Sequence, residues 1–210
     1  MRRPDFIARQ AARPHGLLGR VIGHIMGAET AAANRAALPH LAPPRDARVL
    51  EVGCGHGRTI ERLAALVPHG QVTGLDHSDA MLALARRRCA ALVRAGRVRI
   101  DCGDSAHLPY ADAAFDRVLA VHTIYFWAPL EPHLAELRRV LARRGRLVLA
   151  FRRPTARARR DCPAAIYALR SAESVAAALS AAGFGAVAVE GDDDLAIVAA
   201  DVDAAPGRRL

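Results

Sequence analysis

Short apolar runs alternate with helix-like stretches along most of the chain from residue 47 onward, and this alternation strongly constrains the fold. The runs with the length and apolar content of buried strands lie at 47–52, 71–76, 97–101, 115–122 and 147–151. Segments between them place apolar residues at helical spacing, and these segments lie at 59–67, 78–95 and 129–142. Repeated strand–helix alternation predicts a parallel sheet with helices on both faces.

The C-terminal part of the chain predicts one more helix and a hairpin. Residues 171–182 are rich in alanine and end at Gly183. Two apolar runs, 186–190 and 195–200, flank the acidic turn Gly191-Asp-Asp-Asp194, and a pair this close predicts a hairpin. Because hairpin strands run antiparallel, at least one late strand must oppose the others. We therefore predict an α/β fold with a doubly wound, mostly parallel seven-stranded sheet and an antiparallel C-terminal hairpin.

The charge of the chain suggests a nucleic-acid partner, but the composition does not favour one. The formal net charge is +9, and all 30 basic residues are arginine. Arginine without lysine, together with abundant alanine, is typical of a GC-rich coding bias. The arginines are spread over most segments and aromatic residues make up 4% of the chain, so platforms for stacking single strands are scarce. We do not expect nucleic acid as a partner.

Membrane, secreted and metal-binding classes are not expected either. No apolar run approaches the ~20 residues that cross a bilayer, so no membrane span is predicted. The N-terminal segment lacks the apolar core of a secretion signal, which favours a cytoplasmic protein. The four cysteines show no C-x-x-C spacing, so we expect neither a metal site nor a disulfide framework.

The most informative motif is a glycine-rich turn between the first strand and the first helix of the alternation. It reads Glu51-Val-Gly53-Cys-Gly55-His-Gly57. Glycine is required where the backbone takes a positive φ or approaches a ligand closely. Such a turn also directs the free N–H groups of the following helix toward that ligand. A tight strand-to-helix turn without a ligand is the alternative interpretation.

Acidic residues follow the next two strands. Asp76 ends the second strand, 19 residues beyond Gly57, and Asp104 follows the third. The carboxyl ends of parallel strands open toward one crevice, and an acid at Asp76 can accept hydrogen bonds from both hydroxyls of a ribose. Each acid alone is typical of a solvated loop or a helix cap. At successive strand ends, together with the glycine turn, they favour a shared ligand.

In these motifs the chain resembles the class I S-adenosylmethionine-dependent methyltransferases, in the small-molecule branch similar to ubiquinone- and menaquinone-pathway enzymes. The similarity extends over about residues 17–200 and implies a Rossmann-like fold. The segments that carry it are Glu51-x-Gly53-x-Gly55-x-Gly57, Gly74-Leu-Asp76-His-Ser78-x-x-Met81, Gly103-Asp104-Ser105, Leu108-Pro109, Phe115-Asp116-Arg-Val-Leu119 and Glu136-Leu-Arg-Arg-Val-Leu141. One departure is Arg144-Gly145, where the family usually has Pro-Gly.

The resemblance implies S-adenosyl-L-methionine as the cofactor and assigns residues to it. The expected cofactor contacts are Glu51, Gly53, Cys54, Gly55, Gly57, Asp76, His77, Met81, Asp104, Ser105 and His122. The three glycines would line the methionine part, with Glu51 organising the loop. Asp76 would hold the ribose hydroxyls and Met81 would pack on the adenine. Asp104 would accept a hydrogen bond from the adenine amino group, with Ser105 beside it.

An aromatic segment after the fourth strand is the expected acceptor side of the site. It reads Val121-His122-Thr-Ile-Tyr125-Phe126-Trp127, and we expect catalytic roles for His122 and Tyr125. The expected substrate contacts are His24, Met26, Tyr125, Phe126 and Trp127. Alternatively, the aromatic rings anchor the next helix and His122 only ends the strand. Methyl transfer from a sulfonium depends on positioning and exclusion of water, and no metal is expected.

These observations predict a methyltransferase that moves the S-adenosylmethionine methyl group to a small-molecule acceptor. The expected parts are an N-terminal helical lid (1–40), a cofactor-binding methyltransferase domain (41–201) and a frayed tail (202–210). A nicotinamide-dependent oxidoreductase is one alternative. However, its G-x-G-x-x-G fingerprint requires a third glycine at position 58, where this chain has arginine. A non-catalytic, cofactor-binding regulatory protein is another. The basic insert 152–160 is either a solvated face or steers an anionic acceptor.

Overall fold

The computed structural model describes residues 30–203, and within them seven strands form one sheet. The strands are β1 (Arg48–Val52), β2 (Gln71–Asp76), β3 (Val98–Cys102), β4 (Phe115–Val121), β5 (Leu141–Arg152), β6 (Gly185–Gly191) and β7 (Leu195–Asp201). The helices are α1 (Ala31–Leu41), α2 (Arg58–Leu66), α3 (Asp79–Arg88), α4 (Ala90–Arg94), α5 (Glu131–Val140), α6 (Ala156–Asp161) and α7 (Ala172–Ala181). A 3-10 turn at Ile124–Phe126 follows β4.

The sheet has the order β3-β2-β1-β4-β5-β7-β6. Strands β1 to β5 pair in parallel, whereas β7 is antiparallel to both β5 and β6. The predicted fold class is therefore confirmed, including the antiparallel C-terminal hairpin. The chain order reverses between β1 and β4, and open α/β sheets bind ligands at the carboxyl ends of the strands at this point.

Both faces of the sheet are buried, as expected for parallel strands that read as continuous apolar runs. Successive side chains of a strand point to opposite faces, so Val49 and Leu50 of β1 enter two different apolar clusters. Val49 packs with apolar residues of α1, α2 and α3. Leu50 packs with apolar residues of α5 and α7. These two layers fix the strand ends that carry the predicted site residues.

Two elements differ from the predicted bounds. The predicted helix over 78–95 is divided at Cys89, whose ψ of 13° interrupts the helix and separates α3 from α4. β5 begins at Leu141, directly after α5, although only 147–151 was predicted because Arg143-Arg144-Gly145 has the composition of a turn. The pairing of β4 with β5 shifts register between Phe115 and Arg117, so these residues are accommodated as an irregularity within the strand.

The N-terminal part of the described chain packs on the sheet. Ala37 and Leu41 of α1 are fully buried, and the carbonyl of Leu41 accepts a hydrogen bond from Arg117 on β4. The expected domain boundary at residues 40 and 41 thus falls inside the last turn of α1. Residues 1–29, with His24 and Met26, lie outside the described residues, so the lid and these two contacts stay predictions.

Candidate active site

A cavity of about 700 Å³ opens at the carboxyl ends of β1, β2 and β4, where the strand order reverses. The predicted site residues that line it are Glu51, Gly53, Cys54, Gly55, Asp76, His77, Met81, Asp104, Ser105, His122, Tyr125, Phe126 and Trp127. Gly57 is not part of the lining. A Cβ at Gly57 would lie 3.1 Å from the Cα of Ala85, so this glycine allows α2 to pack closely on α3. One cavity therefore brings together the predicted cofactor and acceptor sides.

The glycine-rich turn is held by hydrogen bonds from its backbone. The N–H groups of Gly53 and Cys54 both donate to the carbonyl of Leu75, at 2.8 and 3.0 Å. Gly53 has a φ of 72°, and a Cβ there would lie 2.0 Å from Cγ2 of Thr123. Gly55 has a φ of 52°, and a Cβ there would meet no protein atom within 4 Å. The missing side chain of Gly55 leaves open space on the cavity wall, as close backbone approach to a ligand requires.

Asp76 organises both sides of this turn. Its Oδ2 accepts a hydrogen bond from the N–H of Gly55 and its Oδ1 from the N–H of Ser78, each at 2.9 Å. Ser78 in turn caps α3, because its Oγ accepts from the N–H of Met81 at 3.3 Å. A carboxylate has about four acceptor sites, so two remain for a ligand hydroxyl pair.

Glu51 lies at the end of β1 with 4% of its surface exposed. Burial raises its pKa to about 8; a hydrogen bond with Thr59 opposes the shift and the charge of Asp76 adds to it. Its Oε2 is buried without a hydrogen-bond partner in the described part of the chain. An unpaired buried oxygen on a cavity wall is costly unless a ligand donor reaches it. This corner of the cavity therefore suits a cationic or N–H-bearing ligand group.

A second polar group lies near the end of β3. Asp104 is exposed, and its Oδ1 accepts from the N–H of Ala106 at 2.9 Å. Ser105 is buried, and its Oγ shares a 2.7 Å hydrogen bond with Nδ1 of His133. His133 stacks on Trp127 with ring centroids 5.1 Å apart and planes 10° apart. His133 was not predicted, because a single histidine near the start of a helix gives no motif.

His122 follows β4 in a strained conformation, with a φ of 59°. Its Nδ1 lies 2.8 Å from the hydroxyl of Tyr125, and that hydroxyl also accepts a hydrogen bond from the N–H of Arg152. All three groups are satisfied when Tyr125 donates its proton to Nδ1, which leaves the histidine proton on Nε2. Burial, followed by the charge of Arg152, lowers the pKa of His122 to about 4. The imidazole is thus neutral and offers an N–H donor.

The aromatic residues after β4 are fixed by packing and by hydrogen bonds. Tyr125 is 4% exposed, its hydroxyl is used by His122 and Arg152, and burial raises its pKa. Its ring stacks on His122 at 5.9 Å. Phe126 packs against Tyr167 at 5.2 Å, and both rings line the cavity. Tyr125 is therefore placed to act through His122, whereas Phe126 offers an open ring to the cavity.

The segment between β5 and α7 also reaches the site. Tyr167 and Cys162 line the cavity, and Arg170 donates to the carbonyl of Ile124 at 2.8 Å. That hydrogen bond holds the 3-10 turn that carries Tyr125 and Phe126. These residues were missed because the segment has no periodic apolar pattern; it contains only the short helix α6.

The sheet order, the glycine turn held by Asp76 and the strand-end cavity agree with the resemblance to class I S-adenosylmethionine-dependent methyltransferases. Residues 49–145 match the family model described as "Methyltransferase domain". Within residues 30–203, no helix has both the length and the apolar character needed to cross a membrane.

Curated relatives agree with this class. The chain is 33% identical over 110 residues to "O-methyltransferase cnsE" of Penicillium expansum, covering 52% of this chain and 40% of the relative. It is 37% identical over 136 residues to "Demethylmenaquinone methyltransferase" of Deinococcus radiodurans, covering 64% and 54%. The chain thus spans about half the length of these relatives or less.

A solved structure shows the same fold. "Phosphoethanolamine N-methyltransferase 2" of Haemonchus contortus, in complex with S-adenosyl-L-methionine, superposes with a TM-score of 0.72 at 18% identity. The match covers 82% of this chain and 53% of that protein. At this identity the likeness establishes the fold, whereas the residues that hold ligands must be argued from the cavity itself.

Proposed function

We propose that the protein transfers the methyl group of S-adenosylmethionine to a small-molecule acceptor. The observation that carries the proposal is the pairing of Asp76 with Gly55. One carboxylate holds the N–H of a glycine that lines the cavity and at whose Cβ position no protein atom lies within 4 Å. This pairing supports a ligand that approaches the turn closely while its hydroxyls reach the remaining carboxylate lone pairs.

The residues around the cavity fit the parts of this cofactor. Asp76 would hold the ribose hydroxyls, Asp104 the adenine amino group, and Met81 would pack on the adenine ring. Glu51, with its unpaired Oε2, would accept a hydrogen bond from the ammonium group of the methionine part. When bound, the cofactor supplies an electrophilic methyl group on a sulfonium. Gly53 lies at the same end of the cavity, and its backbone would line the methionine part.

On the acceptor side, His122 would orient the nucleophile rather than remove its proton. Its lowered pKa makes it a weak base, and its Nδ1 is used by Tyr125. The Nε2–H can donate to a lone pair of the acceptor and hold it in line with the methyl group. Positioning alone can supply a large part of the rate acceleration. Tyr125 is a positioning residue in this proposal, because it acts through His122.

We also propose a cytoplasmic location and an N-terminal lid over the cavity. All four cysteines are free, which is common in a reducing compartment. Thr30, Ala31 and Asn34 at the start of α1 line the cavity. These two observations support the location and the lid, respectively.

Calorimetric titration of the full chain with S-adenosylhomocysteine and with NAD tests the proposed function. One saturable site for S-adenosylhomocysteine and none for NAD is the expected result. Saturable NAD binding without a response to S-adenosylhomocysteine would overturn the proposal in favour of the oxidoreductase alternative. Tight S-adenosylhomocysteine binding without turnover of any acceptor would instead support the regulatory alternative.

A further inference from the structure

Three arginines that line the cavity leave their guanidinium groups without a partner among the described residues 30–203. They are Arg58, Arg62 and Arg152. None of these three side chains forms a hydrogen bond or ion pair with another residue in the described range 30–203. Some other arginines do form such contacts: Arg139 bonds Glu136 and Asp112, and Arg146 bonds Asp201. The cavity therefore holds donors that a bound anion would satisfy.

The acidic residues on the wall do not neutralise these arginines. Asp76 accepts from two backbone N–H groups, and Asp104 accepts from the N–H of Ala106. Glu51 is largely protonated near neutral pH because burial raises its pKa to about 8. Within residues 30–203 no carboxylate pairs with these three guanidinium groups, so their N–H donors are available to an anionic ligand.

The three arginines divide between the two ends of the cavity. Arg58 and Arg62 lie one turn apart on α2, which begins directly after the glycine turn. Arg152 ends β5, and β4 separates β5 from β1 in the sheet. Two strand spacings amount to about 10 Å. Arg58 and Arg62 therefore belong to the methionine end, whereas Arg152 belongs to the acceptor end.

Arg152 lies beside the residues proposed to orient the acceptor. Its backbone N–H donates to the hydroxyl of Tyr125, and its charge lowers the pKa of His122. Phe126 and Tyr167 complete this end of the cavity with two rings in contact. A guanidinium group presents paired N–H donors that match a carboxylate or a phosphate, and aromatic walls suit a flat apolar body.

We propose that the methyl acceptor is a small aromatic acid whose carboxylate or phosphate pairs with Arg152 and whose ring packs against Phe126 and Tyr167. The inference rests on the proposed function, since it names the substrate class of the same site. With the acid held by Arg152 and the ring by the aromatic wall, the Nε2–H of His122 would hydrogen-bond a hydroxyl or amino substituent of that ring. A lone pair of that substituent would take the methyl group, S-adenosylhomocysteine would leave, and the proton of the substituent would pass to water.

Tryptophan fluorescence gives a direct test, because Trp127 is the single tryptophan of the chain and lines the cavity. The full chain, saturated with S-adenosylhomocysteine, is titrated with benzoate, phenyl phosphate and benzamide. At least one of the two anions should bind, and benzamide should bind about tenfold more weakly or not at all. A preference for benzoate assigns a carboxylate, and a preference for phenyl phosphate assigns a phosphate.

Variants of Arg152 and Arg153 test where the anion binds. Arg152→Gln should weaken anion binding about tenfold or more, and Arg152→Lys should restore part of it because the charge remains. Arg153→Gln is the matched control, since the adjacent Arg153 bonds the carbonyl of Asp192 and does not line the cavity. The control should leave anion binding unchanged. Affinity for S-adenosylhomocysteine should stay within about twofold in all three variants.

Four results would overturn the inference: benzamide binding as tightly as the anions, no binding of either anion, an unchanged Arg152→Gln variant, or loss of anion binding only in Arg58→Gln. Each of these results can occur while S-adenosylhomocysteine still binds, and the proposed function then stands. Failure of S-adenosylhomocysteine itself to bind counts against the proposed function instead.

Discussion

Asp76 and Gly55 are joined by a 2.9 Å hydrogen bond between the carboxylate Oδ2 and the backbone N–H. This bond links the end of β2 to the glycine turn after β1. The residue predicted from the sequence to hold a ribose therefore also shapes the turn that faces the same ligand. Its two roles lead to the first prediction.

Replacing Asp76 with alanine should lower both cofactor affinity and stability. The backbone N–H groups of Gly55 and Ser78 lose a charged acceptor, and hydrogen bonds to charged groups contribute about 1.5–3 kcal/mol each. We expect the free energy of unfolding to fall by about 2 kcal/mol or more and S-adenosylhomocysteine affinity to fall about tenfold or more. Urea unfolding and calorimetry measure the two effects. A variant with wild-type affinity would mean that Asp76 serves only the turn.

Gly55→Ala should reduce cofactor binding far more than stability. The added Cβ meets no protein atom within 4 Å, so only the positive φ opposes it in the folded protein, at about 1–2 kcal/mol. The methyl group would nevertheless occupy the space that the ligand needs. We expect S-adenosylhomocysteine affinity to fall about tenfold or more in calorimetry.

Gly96→Ala is the matched control for this variant. Gly96 has a φ of 68° and equally open surroundings, but it does not line the cavity. It should show a similar loss in urea unfolding and unchanged binding of S-adenosylhomocysteine. Equal effects of the two variants on binding would contradict the assignment of Gly55 to the ligand.

Binding of S-adenosylhomocysteine should release a proton near pH 7. Glu51, with its pKa raised to about 8, is mostly protonated in the free protein, and a nearby ammonium group favours the ionised form. Affinity should therefore rise with pH from about 6 to 8. Calorimetry in buffers of different ionisation enthalpy measures the released proton, and Glu51→Gln should abolish both effects. Binding heats that do not depend on the buffer would show that Glu51 does not meet the ammonium group.

The lowered pKa of His122 predicts that the protein loses stability in acid. Its folded pKa of about 4 lies below the ordinary value of 6.5, so the unfolded chain binds more protons between these values. The free energy of unfolding should fall as the pH drops from about 6.5 to 4, by at most about 1.4 kcal/mol per pH unit. His122→Gln should flatten this part of the profile. A wild-type profile in the variant would assign the acid sensitivity to other groups.

Replacing His122 should also affect catalysis. If His122 orients the acceptor, His122→Ala should lower turnover of an aromatic acid about tenfold, equivalent to about 1.4 kcal/mol in the barrier, with cofactor affinity nearly unchanged. Tyr125→Phe should act in the same direction, since it removes the partner of Nδ1. Parallel losses of cofactor affinity and thermal stability, with turnover of the bound complex preserved, would make His122 structural.

The sequence predicted the parts of the fold that depend on local pattern. Apolar runs and helical spacing placed β2 at its observed bounds, and the short acidic turn predicted the antiparallel hairpin. β5 was predicted too short, because Arg144 and Gly145 have the composition of a turn. In the structure the sheet accommodates both residues within the strand. Helix breaks such as Cys89 are set by tertiary contacts, here with Gly57, and local spacing does not encode them.

Residues that line the cavity could be predicted from the sequence only where they belong to a recognisable motif. The glycine turn, Asp76 and Asp104 follow strands at recognisable spacing, so their convergence was foreseeable. His133 and Tyr167 reach the cavity from other segments, and only the packing of the chain brings them there. The hydrogen bond between His122 and Tyr125 was only partly predictable. The two residues are close in sequence, but their hydrogen bond depends on the positive φ of His122.

A crystal structure of the protein with S-adenosylhomocysteine tests the central claim most directly. The account predicts the ribose hydroxyls within hydrogen-bond distance of the Asp76 carboxylate, the adenine amino group beside Asp104 and the amino-acid ammonium at Oε2 of Glu51. The sulfur should then face His122, with the space toward Arg152 open for the acceptor. A ligand bound away from the glycine turn, or one whose ribose does not contact Asp76, would contradict the account.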